Sequence, residues 1–152
     1  MREHHLRGGG RSDDLRVCHC TDCQKLTGTA FRTNIASLPG TFRLTSGAPK
    51  AYIKTAESGN KRAHAFCPEC GTPIYSAAPE PNLSTYGLRV GGIDQRVHFA
   101  PPARQIWCGS ALSWSMDLRA VEKLDRQLTV ASFAGQESEP VEVERRYTER
   151  IQ

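Results

Sequence analysis

Cys18-His19-Cys20-Thr21-Asp22-Cys23 packs three thiols into six residues, and a second pair follows in Cys67-Pro68-Glu69-Cys70-Gly71. Thiols one or two residues apart can turn toward a single point. Soft thiolates at about 2.3 Å in a tetrahedron are what zinc takes. A disulfide within Cys-x-Cys closes a strained ring, so metal binding is the better reading of the first cluster. Three protein ligands leave a fourth position for water or substrate, as in catalytic rather than structural zinc. In the second cluster proline stiffens the turn, and Gly71 permits the positive φ that points amides at sulfur. Two ligands do not complete a tetrahedron. Either two thiols of the first cluster join Cys67 and Cys70 in one closed site, or the first cluster holds its own metal and the second needs other ligands. Spacing leaves both open.

The remaining candidates have plainer readings. Cys108 stands alone and reads as a buried residue on a strand or sheet edge. His19 lies between two thiols and reads as a neighbour of the ligands or an exposed side chain. His64 and His98 sit in strand-like runs and read as structural. Asp22 reads as a charge at a helix start. The pair His4-His5 has ligand chemistry and nothing more to support it.

Positioning these groups requires a scaffold. Thr21 and Gln24 have capping-box spacing, and Gly28 sits where a C′ glycine ends a short helix, which places Cys23 in its first turn. Turn signals at Pro39-Gly40, Ser46-Gly47, Ser58-Gly59-Asn60, Pro79–Asn82 and Gly91-Gly92 separate short runs at residues 30–37, 41–44, 50–55, 62–66, 73–76 and 84–90. That rhythm predicts a mainly β protein, a sandwich of short antiparallel strands with zinc-binding loops. Residues 1–15, with Gly8-Gly9-Gly10, read as a poorly ordered lead-in; residues 16–127 read as the folded domain and 128–152 as a charged tail.

The chain has 152 residues, 38% of them hydrophobic, and a net charge of +4. One domain with a real core fits that length. No apolar run approaches the roughly 18 residues of a membrane span, and no secretory h-region is evident. A cytoplasmic, reducing setting is expected, in which clustered cysteines bind metal. The basic residues are scattered, which argues against nucleic acid and for small anions.

The run Cys-His-Cys-x-Asp-Cys-Gln-Lys-x-x-Gly-x-Ala-Phe, from Cys18 to Phe31, resembles the glutathione-dependent formaldehyde-activating enzyme family, which includes centromere protein V. Phe66 to Tyr75, Gly91 to Asp94, Gln105 to Trp107 and Ser113-Trp114 resemble it too. The resemblance covers about residues 16–127 and implies a Mss-four-like β fold with two zinc sites. It implies that Cys18, Cys20 and Cys23 hold the catalytic zinc, and that Cys67 and Cys70 belong to a structural one. The family's N-terminal Gly-x-Cys-x-Cys-Gly-Ala-Val strand, which supplies two ligands to the structural zinc, has no counterpart here. The implied reaction is of the carbon–sulfur lyase type, joining the glutathione thiol to formaldehyde or a related small carbonyl compound. Glutathione carries two carboxylates, and Lys25, Arg32, Lys61 and Arg62 are the candidate clamps. The rival reading is a non-catalytic zinc module that binds a protein partner.

Overall fold

The computed structural model describes residues 5–56, 58–80, 85–127 and 142–143. The chain divides into two units, residues 1–118 and 119–152. Among the described residues of the second unit there is no helix or strand, and those residues are exposed. The rest of the expected tail lies outside the described residues.

The first unit is mainly β, as its turn rhythm predicts. Among its described residues the nine strands are β1 (His5–Arg7), β2 (Arg16–Cys18), β3 (Arg32–Ala36), β4 (Arg43–Ser46), β5 (Lys50–Thr55), β6 (Lys61–Phe66), β7 (Pro73–Ala77), β8 (Gly87–Arg89) and β9 (Arg104–Ile106), with one α-helix, α1 (Thr21–Thr27). β1 and β4 form a two-stranded sheet, and the other seven form one sheet in the order β5-β6-β7-β8-β3-β2-β9. All pairs are antiparallel except β2 with β9, which run parallel. That pair departs from the all-antiparallel expectation. A parallel partner requires a long connection, and more than eighty residues separate the two strands.

Strand alternation splits the large sheet into two chemistries. Ile35 on β3 faces the same side as its partner Leu88 on β8, which in turn pairs with Tyr75 on β7. Ile35, Leu88 and Leu15 form the buried core, with Phe42, Tyr75, Tyr86, Val90, Ile93 and Phe99 packed against it. Phe42 stacks on Tyr86 at 4.0 Å between ring centroids and meets Tyr75 edge-on at 5.1 Å. Each fully buried aliphatic side chain of this kind contributes about 1.5–3 kcal/mol. The opposite face carries the intervening residues: Arg16 and Cys18 on β2, Arg32 and Asn34 on β3, Gly87 and Arg89 on β8, Ser76 on β7, and Arg62 and His64 on β6.

The lead-in expected over residues 1–15 is corrected in its described part. β1 pairs with β4, Gly10 bridges to Ser37, and a 3-10 turn spans Ser12–Asp14. The Gly8-Gly9-Gly10 run is a close-approach segment rather than a loose linker. Leu38 N donates to Gly9 O at 2.7 Å, and Gly9 N donates to Thr41 Oγ1 at 3.0 Å. A Cβ at Gly10 would lie 3.3 Å from both Ala36 O and Ile35 Cδ1, so a side chain there would press into β3.

Candidate metal centre and cationic cleft

Helix α1 begins one residue earlier than the capping-box pattern indicates. Cys20, extended at φ −61° and ψ 152°, is the N-cap, and its sulfur accepts from Cys23 N at 3.4 Å. A sulfur therefore takes the role expected of the Thr21 hydroxyl, and the amides of the first turn face thiols. The Gln24 amide is used elsewhere: Nε2 donates to His19 O at 2.7 Å and Ser110 O at 2.8 Å, tying the cysteine loop to the segment after β9. Gly28 ends the helix in the left-handed region at φ 66°, as its position predicts.

This geometry gathers Cys18 from the end of β2, Cys20 from the cap and Cys23 from the first helical turn. Their three sulfurs lie within 4.8 Å of one another, and they form the one such group of potential metal ligands among the described residues. The cluster shares protons. The Cys18 thiol is pulled down to about 6, chiefly by hydrogen bonding with the Cys23 thiol, while Cys23 is pushed up by that same bond and by burial. Burial also pushes Cys20 up. Three sulfurs this close are a ready set of soft ligands, and tetrahedral zinc–thiolate bonds of about 2.3 Å fit them.

Cys67 and Cys70 do not join this group. They form the turn between β6 and β7, where Gly71 adopts φ 73° and Gly71 N donates to Cys67 O at 2.9 Å. Cys67 is buried and Cys70 exposed, with Cys70 Sγ 3.0 Å from Thr72 Oγ1. No third potential ligand meets them among the described residues. His4 and the His5 side chain lie outside the described residues.

The three thiols line a cleft of about 790 Å³ on the polar face of the sheet. Among the described residues its wall includes Arg16, Arg32, Lys61, Arg62 and Arg89, with Asp22 as the one acidic side chain. Asp22 is paired with Lys54 on β5, and Arg16 with Asp14 at 2.5 Å. Of the four expected clamps, Arg32, Lys61 and Arg62 line the cleft. Lys25 does not; it is exposed on α1.

Arg89 is the residue that sequence reasoning missed, and His64, read there as structural, also lines the cleft. Arg89 donates through Nη1 to Asn34 Oδ1 and through Nη2 to His64 Nδ1, the latter at 3.2 Å. Burial, and then the charge of Arg32, pull Arg89 down to about 9. His64 is pulled down to about 4 by burial and by the positive charges of Arg89, Arg32, Arg62 and Lys54. Nothing local marks Arg89 as functional in the sequence. Only the pairing of β8 with β3, 55 residues away, puts it there.

His64 yields a prediction. Its folded pKa lies below the ordinary value near 6.5, so below about pH 6.5 the unfolded chain takes up the proton first. Stability therefore falls as pH drops from about 6.5 toward about 4. In thermal melts from pH 7.5 to 4.5, His64→Gln is expected to lose less Tm over that window than wild type. Parallel curves would show that His64 does not titrate this way.

The Cys108 reading is revised, and His19 keeps the first of its two readings. Cys108 is exposed, in a 3-10 turn after β9, not buried on a strand. His19 is 1% exposed, and its Nε2 donates to Gln105 Oε1 at 2.8 Å, so it anchors the cysteine loop to β9. His19 N also donates to Ile106 O at 3.0 Å. Asp22 lies in the first helical turn as read.

A family model described as glutathione-dependent formaldehyde-activating enzyme matches residues 7–110. The crystal structure of a Rhodobacter sphaeroides protein is similar at 18% identity and a TM-score of 0.48, covering 67% of this chain and 91% of that one. No curated protein matches the sequence. No helix among the described residues is long and apolar enough to cross a membrane.

Proposed function

The chain belongs to the glutathione-dependent formaldehyde-activating enzyme family, and on that premise we propose that it adds the glutathione thiol to formaldehyde or a related small carbonyl compound, at a zinc ion held by Cys18, Cys20 and Cys23. One observation carries the reading: three sulfurs within 4.8 Å of one another open onto a cationic cleft. A closed structural site would use four protein ligands, and this group offers three.

Zinc bound there would supply acidity, favouring the thiolate form of a coordinating thiol. The chain's own residues do the rest. Arg32, Lys61, Arg62 and Arg89 give the cleft a positive field that concentrates an anionic thiol. Holding both reactants in one cleft converts a two-body encounter into a local one. The thiolate sulfur adds to the carbonyl carbon, the C=O π bond opens, and the proton released from the thiol ends on the new hydroxyl oxygen. The same cationic wall stabilises the negative charge that develops on that oxygen. Cytoplasmic residence, where glutathione is abundant, completes this reading.

The test is an NMR measurement of S-hydroxymethylglutathione formation by the zinc-supplied full chain. A rate above the uncatalysed one is expected. An unchanged rate with zinc bound would overturn the enzymatic reading in favour of a non-catalytic zinc module.

A further inference from the structure

Arg32 and Arg89 are the buried arginines among the described residues. They are 5% and 8% exposed, and the charges that favour Arg32 are those of the three thiols, Cys23 first, and then Asp22. The Nε atoms of both are buried without a hydrogen-bond partner. Arg89 is held only by neutral acceptors, Asn34 Oδ1 and His64 Nδ1. Buried charges are ordinarily paired, because an unpaired one forfeits its hydration without return. Here two like charges share one wall, where burial and then the Arg32 charge disfavour the charged form of Arg89, and the Cys23 and Cys18 sulfurs favour it. Both line the cleft, so an entering anion can reach them.

Register fixes where that anion sits. Cys18 pairs with Arg32 across β2 and β3, and Asn34 pairs with Arg89 across β3 and β8. Arg32 and Arg89 are thus diagonal neighbours on one sheet face, and Cys18 lies one strand further along. Strands are spaced by about 4.8 Å, so a small molecule can hold its sulfur at the cysteine cluster and a carboxylate at the arginines. Guanidinium forks pair with carboxylates through two parallel hydrogen bonds; each of these side chains has a buried Nε–H without a partner, and the Nη atoms of Arg89 each spend one donor on Asn34 or His64.

We propose that Arg32 and Arg89 form a buried carboxylate-binding site, positioned by Asn34 and His64, that restricts the thiol substrate to one carrying a carboxylate. The choice of a thiol rests on the function proposed above; the anion site itself does not. Neutral and cationic thiols of similar size leave the two guanidiniums unpaired and are rejected.

The probe is γ-Glu-Ala-Gly, which has both carboxylates of glutathione and no thiol, compared with its dimethyl ester by titration calorimetry on the zinc-supplied full chain. The acid is expected to bind at least about 10-fold more tightly than the ester. Arg32→Met and Arg89→Met are each expected to weaken the acid by about 10- to 100-fold, the loss typical of a charged hydrogen bond, and to leave ester binding unchanged. Arg89→Lys, which keeps the charge and loses the fork, provides an intermediate loss if the methionine variants do not fold. Equal binding of acid and ester, absence of binding of the acid to wild type, or wild-type affinity in the variants would overturn the proposal. So would variants that lose zinc yet keep tripeptide affinity, since the arginines would then be counter-charges to the thiolates. Adduct formation is followed alongside. No adduct with acid binding intact would sink the enzymatic reading and leave the carboxylate site standing. Equal adduct rates from glutathione and 2-mercaptoethanol would do the reverse.

Discussion

Cys18→Ser is expected to reduce S-hydroxymethylglutathione formation to the uncatalysed rate and to lower zinc content per chain, while Cys70→Ser leaves both within about twofold of wild type. The asymmetry follows from where the sulfurs lie. Cys18 is buried at the end of β2 and within 4.8 Å of the Cys20 and Cys23 sulfurs. Cys70 is exposed on the β6–β7 turn, and no third ligand meets the Cys67–Cys70 pair among the described residues. Outer-shell changes cost about 10–100-fold in metal affinity or activity, and loss of a direct thiolate ligand should exceed that. Serine is nearly isosteric but its hydroxyl stays protonated, so the soft anionic donor is lost with little change in packing. Zinc per chain by native mass spectrometry and the adduct rate by NMR are the readouts. Equal zinc loss in both variants would mean one shared site drawn from both clusters, and the three-ligand centre would be wrong.

What could be read from the sequence divides by range. Cys18, Cys20 and Cys23 converge through local rules, since one extended strand end, one cap and one helical turn hold all three. The Cys67–Gly71 turn and the stop at Gly28 are local in the same way, and β5 falls at residues 50–55 as its turn signals indicate. The cap itself moved by one residue because sulfur replaced oxygen as the acceptor for Cys23 N. The cleft is different. Arg32, His64 and Arg89 come from β3, β6 and β8, and their shared face depends on strand order and register. A short strand such as Gly87–Arg89 carries too few residues for alternation to reveal which side is wet. The Gly8–Gly10 run misled for the opposite reason. Glycine marks both loose chain and tight contact, and only the neighbours at Ile35 and Ala36 distinguish them.

The same alternation makes one core residue a sharp test of the fold. Leu88 is 4% exposed and sits between Gly87 and Arg89, whose side of the strand lines the cleft. Its own side chain packs with Leu15 and Ile35 in the core. Leu88→Ala removes buried methyl groups and leaves a void that surrounding residues fill only in part. The expected cost is about 2–5 kcal/mol, at the upper end if the Phe42–Tyr75–Tyr86 aromatic group holds its shape. Denaturant midpoints at unchanged slope measure it. The substitution alters no thiol or charged side chain of the cleft, so the folded fraction of Leu88→Ala should bind zinc and γ-Glu-Ala-Gly as wild type does. A loss below about 1 kcal/mol would mean that Leu88 is not in the core. Its partners Ile35 and Tyr75 would then not share its face, and Arg89 would be turned away from the thiols. Register is common to both faces of a strand, so a stability measurement on the core side checks the placement of the charge on the other.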